Sequence, residues 1–364
     1  MYRVYGQERV KQILGRSIER KRHAHAYLFH GQSGVGKDTM AVAAAMRLFC
    51  LQPSPWACGE CSECRKIIRL EHPSFHLIYP VPSRPSGMKA ESYDRIIREK
   101  LLERMDNLYR PVDFHPEFTT LPAISIQQVR DMKKTVLLKT SESSYRIFIV
   151  SQVQRMSAEA ANSLLKLLEE PPPRTMLILT SDVPGQILDT IKSRCQMLRF
   201  DRIPEEVIAE VLRNEQAMES AQADLFSRMS GGSMQRALEL AGEDFNTLRD
   251  EAISFLTMSL GRDTLQILDY AARSGRSKNK QKTLNMLQLL QVIMRDLLQT
   301  DIESKAALIN SDKQAALSKI LSRHPGLDAG KAIGFISEAI DYIGKNVYLP
   351  LILTTLSDSL REST

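Results

Sequence analysis

Two apolar rhythms share the first 200 residues of the chain, and only one of them continues beyond. Short, mostly apolar runs at 26–29, 75–79, 145–150, 176–179 and 196–200 have the length of strands, and 145–150 reads as a buried one. Between them apolar residues recur at helical spacing. Residues 7–21 carry Val10, Ile13, Leu14 and Ile18 on one face, and further helices are predicted over 37–51, 90–108, 126–139 and 158–169. The last of these is stopped by Pro171, Pro172 and Pro173. Strands alternating with helices predict a parallel, helix-covered sheet. After Pro204 the strand signals cease, and the rest reads as helices with breaks near Gly231–Gly232, Gly261, Ser274–Gly275 and Pro325–Gly326. The predicted fold class is therefore α/β followed by all-α. Met258, Leu260, Leu265, Ile267 and Leu268 are assigned to helical core.

Residues 80–122 break the alternation. Prolines and Gly87 punctuate them around the charged stretch 90–108, which predicts an insertion on the domain surface.

A length of 364 residues exceeds what one compact core sustains, so more than one domain is expected. Lys and Arg exceed Asp and Glu by 49 − 43, or +6, which permits contact with nucleic acid without requiring it. The opening residues lack the apolar segment of a signal peptide, and no uncharged apolar stretch reaches the ~18 residues of a membrane span. Five cysteines, four of them clustered at metal spacing, suit a reducing cytoplasm better than a disulfide scaffold.

Two motifs carry chemistry. The first is Gly31 to Lys37 (GQSGVGK), a glycine loop between a strand and a helix. Gly31, Gly34 and Gly36 let backbone amides turn inward around phosphates, and Lys37 would bring positive charge to the β- and γ-phosphates. The hydroxyl that binds Mg²⁺ should follow at position 38, where this chain has Asp38, with Thr39 one place later. The Asp38 carboxylate could reach a metal, but it also sets negative charge beside the phosphates. Nucleotide-binding and vestigial loops are both open readings. The strand 147–150 then ends in Ser151 and Gln152, where nucleotide hydrolases of this kind place Asp-Glu for the metal and the attacking water. Three altered positions predict a chain that does not hydrolyse ATP efficiently by itself.

The second motif is Cys50, Cys58, Cys61 and Cys64, whose Cys-x7-Cys-x2-Cys-x2-Cys spacing offers four thiolates to a structural zinc. A zinc ribbon can also bind nucleic acid, but the spacers here contain Glu60 and Glu63, which disfavours phosphate contact. Cys195 lies far away in sequence and is not a fifth ligand.

Three basic features admit two readings each. Arg194, in Ser193–Arg194–Cys195, is either a surface ion-pair partner or a finger reaching a neighbouring subunit's γ-phosphate. Arg236 stands in the first turn of a helix that Ser233 can cap, or turns toward bound nucleotide. Arg273, Arg276, Lys278, Lys280 and Lys282 form either a solvated loop or a DNA-facing patch.

The combined motifs resemble the bacterial clamp-loader subunits of the AAA+ class, and among them the delta-prime subunits of DNA polymerase III. The resemblance rests on Gly6–Gln7, His25 to Phe29 (HAYLF) with the loop to Lys37, the four cysteines, Ala161 to Pro172 (ANSLLKLLEEPP), Ser193–Arg194–Cys195 and Gly232 to Arg236 (GSMQR). It covers residues about 6–240, and the remainder matches only as a helical segment. It implies an AAA+ phosphate-loop domain over 1–200 with the zinc module at 50–64, a helical lid over 201–245 and a helical collar over 246–364. It implies a five-subunit ring with gamma or tau and delta subunits, which opens the sliding clamp and loads it on primer-template DNA. Arg194 would then act in trans on the adjacent motor's ATP, and Arg236 would be the lid arginine. The competing readings are a catalytically active gamma/tau-type ATPase and a zinc-bearing nucleic-acid adaptor.

Overall fold

The computed structural model describes residues 3–364 except 54, 113, 115–117, 119, 138–144, 243–244, 262, 277–279, 302–312 and 346. Lys278 and the predicted helix end at 138–139 lie outside the described residues.

Five strands form one sheet: β1 (Ala26–His30), β2 (Phe75–Ile78), β3 (Arg146–Val150), β4 (Thr175–Ser181) and β5 (Gln196–Arg199). Their order is β2-β3-β4-β1-β5, and every pairing is parallel. The helices around them are α1 (Glu8–Glu19), α2 (Lys37–Phe49), α3 (Ser62–Ile68), α4 (Ala90–Asp106), α5 (Ile126–Leu137), α6 (Ala158–Glu169) and α7 (Asp189–Lys192). Strand side chains alternate between two cores. Tyr27, Phe29, Ile147, Ile149 and Ile178 face the core built with α1, α2 and α3. Leu28, Phe148, Val150, Leu177 and Leu179 face the core built with α5 and α6. Cover on both faces explains why the central strands read as continuous apolar runs rather than as alternating ones. Ser157 caps α6 by accepting the Ala160 N–H at 3.2 Å.

The chain divides into two compact units, residues 1–211 with 230–238, and residues 212–229 with 239–364. Beyond β5 the described chain is helical: α8 (Glu205–Gln216), α9 (Ser220–Met229), α10 (Met234–Gly242), α11 (Phe245–Leu260), α12 (Thr264–Arg276), α13 (Lys280–Asp301), α14 (Gln314–Arg323), α15 (Ala329–Gly344) and α16 (Leu349–Arg361). In the second unit α13 packs on α15 and α11, and α12 on α16.

Three expectations change. Ser274–Gly275 is not a break but lies inside α12, where a Cβ on Gly275 would meet Pro350 of α16 at 2.4 Å. That glycine serves close helix packing. Leu260 and Ile267 are buried, but Leu265 and Leu268 are exposed. The insertion 80–122 is not wholly superficial. Its base is pinched by an antiparallel bridge between Val81 and Ala123, while Arg104, Met105, Leu108 and Tyr109 are buried. Met105 and Leu108 join the same core as α2. Charged residues dominate this stretch, so its sequence hid the few positions that turn inward.

Candidate phosphate-loop site and cysteine cluster

The carboxyl ends of β1, β3 and β4 converge on the glycine loop, the edge where open parallel sheets of this type bind ligands. β1 delivers Gly31, β3 delivers Ser151 and Gln152, and β4 delivers Thr180 and Asp182. Gly34, Gly36, Lys37 and Asp38 line one cavity with Arg104, Tyr109, Gln152, Thr180 and Asp182. Thr39 is buried one place behind it.

Lys37 is buried, and its ammonium is fully engaged. Nζ donates to the carbonyls of Gly31 at 2.9 Å and Gln32 at 2.6 Å, and pairs with Asp182 Oδ1 at 2.7 Å. An ammonium has three donors, and three acceptors of the protein face it.

Asp38 is equally engaged. Thr180 Oγ1 donates to its Oδ1 at 2.7 Å, and Arg104 pairs with its Oδ2. Burial alone would push this carboxyl up, but Arg104, the Thr180 hydroxyl and Lys37 outweigh it and hold it below the usual carboxylate range. The expected repulsion from a bare carboxylate is therefore corrected, because a buried guanidinium offsets the charge. Arg104 also donates to the Arg110 carbonyl at 2.6 Å and lies 4.7 Å above the Tyr79 ring.

The loop is covered from two directions. Gly36 has φ of 93°, and a Cβ there would lie 2.6 Å from the Tyr109 hydroxyl. That hydroxyl accepts the Tyr5 N–H at 3.1 Å, and burial pushes its pKa up to about 12. At Gly34 a Cβ would lie 2.2 Å from Ser233 Oγ, and the Gly34 carbonyl accepts the Met234 N–H at 3.0 Å. Ser233 also accepts the Arg236 N–H at 3.3 Å, so it caps the first turn of α10. Ser151 is fully buried at the end of β3. Gln152 adopts a left-handed backbone with φ of 53°, and its N–H donates to Thr180 Oγ1 at 3.1 Å. Neither residue supplies a carboxylate.

Gln7 ties these pieces together. Its side chain donates to the Val35 carbonyl at 3.3 Å and the Asp201 carbonyl at 2.7 Å, and accepts the Asp201 N–H at 3.2 Å. Sequence reading valued Gly6–Gln7 only as a marker. It missed Arg104, Tyr109, Thr180 and Asp182. Of these only Thr180 and Asp182 carried a signal, their place at the carboxyl end of a buried parallel strand.

The four cysteines come together as the spacing predicts. Cys50 closes α2, Cys61 precedes α3 and Cys64 lies within it. All four sulfurs lie within 4.8 Å of one another, with Cys50 to Cys58 at 3.5 Å and Cys58 to Cys64 at 4.0 Å. Tetrahedral zinc with Zn–S bonds of about 2.3 Å implies S···S edges of about 3.8 Å, so the donor set fits that ion. Backbone N–H groups point at the sulfurs: Gln52 and Cys58 donate to Cys50 Sγ at 3.4 and 3.3 Å. Burial pushes Cys61 up, but the N–H groups of Leu51 and Cys64 outweigh it and bring it to about 6. The cluster is braced by Arg47, which lies 5.3 Å from the Trp56 ring and pairs with Glu19 at 2.6 Å.

Arg194 follows α7 and lies partly exposed. It pairs with Glu169 Oε1 at 2.8 Å and donates to the Thr190 carbonyl at 2.9 Å. Cys195 beside it is held up at about 12 by burial. In the basic cluster, Arg273 pairs with Asp269 at 2.8 Å and Lys282 with Glu251 at 3.0 Å. Acids absent from that sequence stretch are thus supplied from elsewhere in the helices. Among the described residues no helix is long and apolar enough to cross a membrane.

Residues 6–204 match the sequence profile of a family described as "DNA polymerase III, delta subunit". The chain is 31% identical to DNA polymerase III subunit delta' of Bacillus subtilis (strain 168), over 84% of this chain and 81% of that protein. It is 25% identical to the delta' subunit of Haemophilus influenzae over 93% of this chain and 92% of that one. DNA polymerase III subunit tau of Bacillus subtilis is 28% identical, over 69% of this chain and 37% of tau. The parallel sheet, the glycine loop and the cysteine cluster thus accompany a sequence match over most of the chain, and the chain belongs to the delta' family of DNA polymerase III subunits.

Proposed function

We propose that this chain is a non-hydrolysing member of a clamp loader, which contributes structure and one arginine rather than ATP turnover of its own. The observation that carries the reading is the engagement of the loop's charged groups within the chain. Lys37 is held by Gly31, Gln32 and Asp182, Asp38 is held by Arg104 and Thr180, and β3 ends in Ser151 and Gln152. Phosphoryl transfer needs a metal-binding hydroxyl or acid and a residue that orients water; here Asp38 is held by Arg104 and Thr180, and the end of β3 supplies no carboxylate. The same arrangement disfavours the gamma/tau-type ATPase reading, in which Asp38 or Thr39 would have to rebuild the metal site.

In this reading the phosphate-loop domain at 1–200 is of the AAA+ class, 201–245 forms the lid and 246–364 the collar. The chain joins gamma or tau and delta subunits in a five-subunit ring that places the sliding clamp on primer-template DNA. Arg194 leaves Glu169 to stabilise charge developing on the ATP of the adjacent motor. A partly exposed ion pair contributes only about 0–1 kcal/mol, so its exchange for a triphosphate costs little. Gly31, Gly34, Gly36, Lys37, Asp38, Thr39 and Arg236 remain a vestigial nucleotide site. Cys50, Cys58, Cys61 and Cys64 would hold a zinc ion, which supplies a rigid cross-link and no chemistry.

The test is reconstitution with tau-type and delta subunits, followed by clamp- and DNA-stimulated ATPase assays. The isolated chain should show no Mg²⁺-dependent hydrolysis, and Arg194→Ala should lower the rate of the assembled loader. An unchanged rate in an intact assembly would remove Arg194 from the chemistry. Turnover by the isolated chain would favour the motor reading instead.

A further inference from the structure

The insertion 80–122 turns its inner part toward the phosphate loop, where Arg104 and Tyr109 line the cavity. We propose that its inner segment is an internal ligand of the phosphate loop: Arg104 and Tyr109 occupy the place of a nucleotide, hold the loop folded without one, and keep nucleotide out.

Space, charge and hydrogen bonding each support this. The cavity left beside the loop measures about 30 Å³, room for little more than a water molecule. Pockets for small ligands usually hold about 300–1,000 Å³. Tyr109 is what fills the space over Gly36, since its hydroxyl lies only 2.6 Å from where a Cβ on that residue would stand.

The charges close without a ligand. Lys37 and Arg104 are two cations, Asp38 and Asp182 are two anions, and they pair as Lys37–Asp182 and Arg104–Asp38. The sum is 2 − 2 = 0 among buried or half-buried groups. A triphosphate would bring several negative charges into a set already neutral. A helix N-terminus attracts an anion, and here α2 has one of its own in its first turn, the Asp38 carboxylate.

The side-chain hydrogen bonds close in the same way. The three donors of Lys37 meet three acceptors, both Asp38 oxygens are engaged, and Arg104 spans Asp38 and the Arg110 carbonyl. Arg110 itself follows Tyr109, so the guanidinium fastens the segment that carries the phenol. The segment is anchored at its base by Val81 and Ala123 and through its core residues Met105 and Leu108. A nucleotide could enter only by displacing Arg104 and Tyr109.

The inference deepens the non-hydrolysing reading. It is tested on the isolated full-length chain, so its failure leaves the trans role of Arg194 untouched. The probe is N-methylanthraniloyl-ADP with Mg²⁺, followed by fluorescence anisotropy. The wild-type chain should show no saturation up to about 1 mM, and the triple variant Asp38→Thr, Arg104→Ala, Tyr109→Ala should bind at least about tenfold more tightly than that limit. Saturable wild-type binding with Kd below about 1 mM overturns the proposal. So does a triple variant that folds, by circular dichroism, and still does not bind. If the triple variant fails to fold, hydrogen exchange of the wild-type chain decides. The amides of residues 33–37 should exchange at the same rate with and without excess MgATP; protection gained on adding MgATP overturns the proposal.

Discussion

Asp38 and Arg104 stand 66 positions apart and form a buried ion pair inside the phosphate-loop site. One partner opens the helix after the glycine loop, and the other comes from the last turn of α4 in the insertion. The pair joins the phosphate loop to an element that reads as an appendage.

Breaking that pair should be costly. Arg104→Ala leaves the Asp38 carboxylate buried without its guanidinium, and loss of one partner of a buried pair costs about 3–5 kcal/mol. Asp38→Asn combined with Arg104→Ala should cost clearly less than the sum of the two single changes. Urea unfolding followed by Trp56 fluorescence measures this, because Trp56 is the chain's only tryptophan and lies in the phosphate-loop unit. A loss under about 1 kcal/mol for Arg104→Ala would show that the pair does not hold the segment down.

The same pair sets a pH dependence. The carboxyl of Asp38 has a folded pKa below its unfolded value of about 3.9. Its contribution to stability is therefore complete above that unfolded value and is lost as pH falls through the lower folded value. Between about pH 5 and pH 2 the wild-type chain should lose stability more steeply than Asp38→Asn. Equal slopes for the two proteins would mean that Asp38 titrates normally in the fold.

The cysteine cluster predicts its own response to metal removal. Zinc binding contributes about 10–16 kcal/mol of apparent free energy in small zinc modules, and this cluster sits on the helix ends of α2 and α3. One zinc per chain is expected by elemental analysis, with a fall in thermal midpoint on strong chelation. Cys64→Ser, which removes a fully buried ligand, should abolish retention of the ion. Purified chain free of zinc and showing four titratable thiols in this segment would refute the assignment.

The strands were legible because the central strands of a sheet covered on both faces are largely apolar, and all five run positions became strands. The cysteine cluster was legible because its ligands are neighbours in sequence. The closure of the phosphate loop was not. It depends on Arg104 meeting Asp38 and on Tyr109 meeting Gly36, contacts between segments about 70 residues apart. In the sequence Arg104 is one more cation in a charged helix, and nothing in its spacing marks it as buried. Gly275 failed as a break signal for a related reason: glycine also marks close approach, and only the packing of α12 on α16 distinguishes the two uses.

Arg194 and Glu169 supply the last prediction. Glu169 ends α6, Arg194 follows α7, and their side chains meet at 2.8 Å. Both are partly exposed, so Arg194→Ala should change the stability of the isolated chain by less than about 1 kcal/mol. In the reconstituted loader the consequence should be much larger. An arginine finger is worth a factor of about 10³–10⁵ in GTPases, and a loader with several motor sites should still show a clear fall in rate when one site loses its finger. Glu169→Gln separates the two roles, because it frees the guanidinium without removing it. If Arg194 works across the subunit boundary, Glu169→Gln keeps or raises the stimulated rate while Arg194→Ala lowers it. If the ion pair merely shapes the turn before β5, the two variants should behave alike, and ATPase rates measured side by side on assemblies of equal subunit composition distinguish the cases.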